Sequence, residues 1–101
     1  MRQYTTPVVQ LRIDGHDLSG ADVYVTFANR ARNALLTITD PGITADEDGT
    51  TVEVHLTQEQ TGRFAYGSYI SVQVNWMELG ERYATQIASV AWDENLIKEV
   101  L

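Results

Sequence analysis

The sequence predicts an all-β domain built as an antiparallel two-sheet sandwich. Three observations lead there. Apolar and polar residues alternate with a period of two in run after run, the mark of a half-buried strand. Short turn-forming clusters separate the runs. The chain has 101 residues, 44% of them hydrophobic, enough for one core and too few for two domains.

The first run sets Val9, Leu11 and Ile13 against Gln10 and Arg12, and Asp14-Gly15 then punctuates the chain. The second alternates Val23, Val25 and Phe27 with Tyr24 and Thr26; the third alternates Ala34, Leu36 and Ile38 with Leu35, Thr37 and Thr39. Val52, Val54 and Leu56 alternate with Glu53 and His55, and Ile70, Val72, Val74 and Trp76 with Ser71, Gln73 and Asn75. Each run turns an apolar face inward. The sixth, Arg82 to Trp92, is irregular: Tyr83, Thr85 and Ile87 share one parity, while Ala84, Ala88, Val90 and Trp92 share the other. Either both faces are partly covered or a bulge switches the parity midway. Ile87 is assigned to the core.

Turn chemistry marks the connections. Asp40-Pro41-Gly42 and Asp46-Glu47-Asp48-Gly49 are tight-turn signals, and Leu79-Gly80 between Glu78 and Glu81 reads as a short hairpin connection. Thr57-Gln58-Glu59-Gln60 fits a capping box, so a short helix is expected over Gln58 to Arg63, crossing the end of the sandwich with Phe64 plugging the core beneath. Six or seven strands at regular spacing, with this one helical crossover, make an immunoglobulin-like sandwich the expected architecture over residues 1–101. Residues 1–7 read as an N-terminal arm. Residues 93–101 read as a helical turn capped by Asp93 or an extended arm, whose apolar residues either fold back onto the sandwich or act as a docking tail.

Composition excludes several functions. The net charge is −7, and the basic residues Arg2, Arg12, Arg30, Arg32, Arg63, Arg82 and Lys98 are scattered. Neither nucleic acid nor an anionic membrane is an expected partner, because both require clustered cations. Cysteine is absent, which removes disulfides, thiolate metal sites and a cysteine nucleophile. The N-terminus has no apolar signal-peptide region, and no apolar run is long enough to span a bilayer.

Catalytic sets are not expected either. His16 lies in a polar turn and His55 on an outward strand position; none of Ser19, Ser68, Ser71 and Ser89 sits in a Gly-x-Ser-x-Gly elbow. Two histidines are too few for a zinc site. Glu78 with Glu81, and Asp46 with Asp48, supply the carboxylate pairs a glycosidase needs, but both read as solvated hairpin loops. The Asp46 loop lacks the longer alternating ligand pattern of an EF-hand. The expectation is a non-enzyme without cofactor or metal. Tyr24, Tyr66, Tyr69 and Trp92 are candidates for partial exposure and so for protein or sugar contact, the bland alternative being cross-strand pairing. With the apolar tail residues Leu96, Ile97, Val100 and Leu101 they form the candidate interface.

From Val54 to Trp76 the chain reads Val-His-Leu-Thr-Gln-Glu-Gln-Thr-Gly-Arg-Phe-Ala-Tyr-Gly-Ser-Tyr-Ile-Ser-Val-Gln-Val-Asn-Trp. A strand ending in Leu-Thr-Gln-Glu-x-Thr, then a Phe, a Gly and a strand with Val-Gln-Val, resembles a group of small phage and prophage proteins of Gram-positive gut bacteria. The Val23 to Phe27 strand and a closing strand near Gln86 to Val90 fit the same pattern, so the resemblance covers roughly residues 8–101. The architecture it implies is similar to the N-terminal β-sandwich of siphophage upper baseplate proteins. It implies a virion structural protein of tail, baseplate or neck, assembled in the bacterial host cytoplasm. Its partners would be other phage structural proteins, and it would be a homo-oligomer. The alternative is a carbohydrate- or ligand-binding β-sandwich module.

Overall fold

A computed structural model describes residues 1–2, 4–29, 35–64, 69–91 and 96, with backbone only for Leu35. It is mostly β, in two antiparallel sheets. The first contains β1 (Val8–Asp14), β4 (Gly42–Ala45) and β5 (Gly49–His55) in the order β1-β5-β4. The second contains β2 (Val23–Ala28), β3 (Leu35–Ile38), β6 (Tyr69–Glu78), β7 (Glu81–Ala84) and β8 (Ala88–Ala91). Its order is β3-β2-β6-β7, with β8 also paired to β6. The inward residues of both sheets meet in one core: Ile13, Val52 and Val54 from the first, Val25, Phe27, Ile70, Val72, Val74 and Trp76 from the second.

Eight strands form among the described residues, where six or seven were expected. β4 was not anticipated, because its single large apolar residue, Ile43, shows no alternation. Asp40-Pro41 proves to be a sheet switch. β3 and β4 run toward the same end of the molecule, and the three residues between them carry the chain from one sheet to the other.

The sixth run is split by a bulge. β2 occupies one edge of β6 along Ser71 to Trp76, so β7 and β8 share the other edge. There Asn75 pairs with Ala84 but Val72 pairs with Ala88: three residues oppose two. Thr85 bridges the gap. Its N–H donates to Val74 O at 2.9 Å, and its hydroxyl oxygen accepts from Val74 N at 3.1 Å. The shift corrects the placement of Ile87. Beyond the bulge Ala88 and Val90 pair with the inward Val72 and Ile70, and Ile87, within the bulge, is 54% exposed. Val9, Leu11 and Ile38, also expected inside, are half-buried against the core.

The capping box forms as expected. Helix α1 spans Gln58–Gly62; Gln60 N donates to Thr57 Oγ1 at 3.2 Å, and Thr57 N donates to Gln60 Oε1 at 2.9 Å. Phe64 is buried beneath it. The segment read as an arm is tied down. The Met1 ammonium donates to Ala91 O at 2.6 Å, and the Tyr4 ring lies where a Cβ on Gly62 would be. Thr5 N donates to the buried Thr61 Oγ1 at 3.0 Å, and that hydroxyl lies 2.9 Å from Thr5 O. Replacing Thr61 by Val should therefore cost about 1 kcal/mol and speed amide exchange at Thr5. Unchanged exchange there would show that this hydroxyl does not hold the N-terminal segment.

Candidate interaction surface

Pleating of β6 turns Tyr69, Ser71, Gln73, Asn75 and Met77 away from the core. Register places Tyr24 beside Asn75 and Thr26 between Gln73 and Thr37 on the same outer face. Arg82 joins them from β7, donating from Nε and Nη2 to Asn75 Oδ1 at 3.2 and 3.1 Å. Together with Trp76 these positions line a trough of about 400 Å³ comprising Tyr24, Thr26, Thr37, Asn75, Met77 and Arg82. The Thr26 and Thr37 hydroxyls lie 3.2 Å apart on its floor. Arg82 makes no ion pair among the described residues.

Three large apolar side chains stand exposed on this face, Tyr24, Tyr69 and Met77, and Ile87 is exposed in the bulge at its edge. The outer face of the first sheet is polar by contrast, presenting Gln10, Arg12, Thr51, Glu53 and His55, with Val8 as its one exposed large apolar side chain. Of the candidate interface residues, Tyr24 and Tyr69 are thus on one face, six residues of β6 apart, or about 20 Å. Leu96 is 90% exposed. Tyr66, Trp92, Ile97, Val100 and Leu101 lie outside the described residues, as does Ala34 of the third run. Sequence reasoning missed Met77, Leu79 and Ile87. Met77 has the outward parity of β6 and was legible; Ile87 depended on where the bulge falls.

At one end of the sandwich the loop after β1 meets the β6–β7 hairpin. His16 Nδ1 lies 3.1 Å from Glu78 Oε2, and Trp76 Nε1 donates to the same oxygen at 3.4 Å. The His16 ring sits edge-on to Trp76 at 5.3 Å, and Trp76 stacks on Tyr83 at 5.7 Å. Both histidines are engaged by glutamates, His55 Nε2 lying 2.6 Å from Glu53 Oε1, and among the described residues neither bonds to a serine. Leu18 in the same loop is fully buried; its N–H donates to Thr50 Oγ1 at 3.0 Å, and that hydroxyl donates to His16 O at 2.7 Å.

The acidic loop Asp46 to Asp48 is organised from within. Asp46 takes both Arg12 Nη1 (2.9 Å) and Nη2 (2.7 Å), while its Oδ1 also accepts from Asp48 N and Gly49 N. Among the described residues no group of three metal-ligating side chains forms, and no helix is long and apolar enough to cross a membrane. The Arg12 hydrogen bonds, aided by the Asp48 N–H, hold the Asp46 carboxyl well below the usual carboxylate range. A carboxyl depressed in the folded state stabilises above its unfolded pKa, about 3.9, and loses that contribution as pH falls through the folded value. Carbon NMR should therefore show Asp46 titrating well below pH 3.9 and moving toward it in high salt, since the pair is exposed. A midpoint at the ordinary value would contradict the clamp.

No protein-family model, curated protein or solved structure matches the chain.

Proposed function

We propose that this protein is a non-catalytic interaction module, a structural or assembly component of a phage or prophage particle. In this reading it docks to other protein chains through the outer face of the five-stranded sheet. The observation that carries the docking is the contrast between the two outer faces: Tyr24, Tyr69 and Met77 stand exposed along one, with Ile87 exposed in the bulge at its edge, while charged and polar side chains dominate the other. Exposed aromatic and Met side chains gathered on one face are what a protein interface needs. The particle setting rests on the resemblance over Val54 to Trp76, which is an analogy. An immunoglobulin-like lineage is part of the proposal. The orders β1-β5-β4 and β3-β2-β6-β7 correspond to B-E-D and C′-C-F-G of that architecture, with no strand A among the described residues.

The test uses purified products of the flanking genes, each assayed for binding to the wild-type chain and to a Tyr24→Ser, Met77→Ser, Ile87→Ser triple variant. At least one product should bind wild type and lose the variant. Equal binding would move the interface elsewhere, and no binding by any product would remove the reading.

The trough favours a second reading, a saccharide-binding module. Tyr24 offers a ring face, Thr26 and Thr37 offer hydroxyls, and Arg82 offers a cation that would select an acidic sugar. Retention on a glycan array, lost in Tyr24→Ala and in Arg82→Ala, would support it; an array without signal would dismiss it.

A further inference from the structure

The β6–β7 turn is built on a residue that the turn itself disfavours. Leu79 and Gly80 occupy the two central positions between the paired Glu78 and Glu81, with φ of +52° and +81°. Positive φ at both positions is the type I′ geometry, for which Asn-Gly or Asp-Gly is strongly preferred. A bulky apolar residue in the left-handed region carries strain that Asn would largely relieve. The Leu79 side chain gains nothing in return within its own chain, being 99% exposed. Met77, also exposed, stands on the same hairpin, and Tyr24 lines the trough beside it. Glu78 and Glu81 flank the tip, and Asp22 lies alongside, its carbonyl accepting from Met77 N at 3.2 Å; these three carboxylates outnumber the single guanidinium of Arg82 next to Glu81.

We propose that Leu79 is the anchor of the interaction surface, inserting into an apolar socket on a partner protein whose rim carries lysine or arginine. Local strain held at a fully exposed apolar side chain has a use when that side chain is buried by something else. The acidic flanks fix the partner's charge, because they match a cationic rim and repel a second copy approaching tip to tip. This rests on the interaction-module reading and assigns its contact point and the complementary chemistry.

The experiment compares wild type with Leu79→Asn and Glu81→Lys, again using the purified products of the flanking genes. Leu79→Asn should melt several degrees higher, because Asn suits the turn, and should bind at least about tenfold more weakly. Glu81→Lys should slow association and weaken its dependence on salt. A Leu79→Asn variant that binds within twofold of wild type would overturn the anchor. So would self-association of the wild type that Leu79→Asn abolishes, since the occupant would then be a second copy. The two readings fail separately. If a product binds wild type and is lost only on the Tyr24, Met77, Ile87 triple change, the interaction module stands and the anchor falls. If no product binds at all, both fall.

Discussion

Replacing Trp76 by alanine should lower the unfolding free energy by about 3–5 kcal/mol. Trp76 is the last buried residue of β6 and only 4% exposed. Its ring does three things at once: it fills the end of the core, it stacks on Tyr83, and it meets the edge of His16. Its N–H donates to Glu78 Oε2, the oxygen that also engages His16. Truncation leaves a cavity and cuts the packing between the loop after β1 and the β6–β7 hairpin. Since a domain of this size holds only about 5–15 kcal/mol in total, urea unfolding should show a much earlier midpoint. Trp76→Phe should recover most of the loss. A cost under about 1 kcal/mol for the alanine variant would place Trp76 on the surface and undo the account of this end of the sandwich.

Gly49→Ala should cost about 1–3 kcal/mol, more than a surface Gly→Ala change has reason to. Gly49 opens β5 and pairs with Asp14 at the end of β1. A Cβ there would overlap the carbonyl oxygen of Ile13 and come within 2.9 Å of Asp14 Cα. Both are backbone atoms of the neighbouring strand, so nothing flexible can give way. Relief requires β1 to separate from β5, which also pulls on the Gly15 N–H bond to Asp48 O at 2.8 Å. Amide exchange should accelerate at Gly15 in this variant before it does elsewhere in the first sheet. A neutral substitution would mean that the two strands do not approach as described.

The strands legible in the sequence were those whose two faces differ. β1, β2, β5 and β6 alternate cleanly and their inward residues lie in or against the core. The capping box was legible because the Thr57 to Gln60 spacing is a local hydrogen-bonding pattern that needs no tertiary information. What escaped depended on distant partners. Leu18 stands alone in a polar loop, so no period marks it; it packs into the core while its N–H meets Thr50, thirty-two residues away. Ile87 lies one residue from the core parity, and only the register of β7 and β8 on β6 decides which way it faces. At the candidate surface Tyr24 and Tyr69 were legible as outward-parity tyrosines. Leu79 was read only as half of a turn, because exposure and backbone strain at a single residue have no signature in composition.

The outer face of the five-stranded sheet should be covered when the protein works. Hydroxyl-radical footprinting of the isolated chain and of the chain in complex with a flanking-gene product or in an assembled particle measures this side chain by side chain. Tyr24, Tyr69, Met77 and Leu79 should all be reactive in isolation and should lose reactivity on assembly, while Val8 and His55 on the other sheet keep theirs. Unchanged reactivity at Tyr24, Met77 and Leu79, with protection at Val8 and His55, would contradict it.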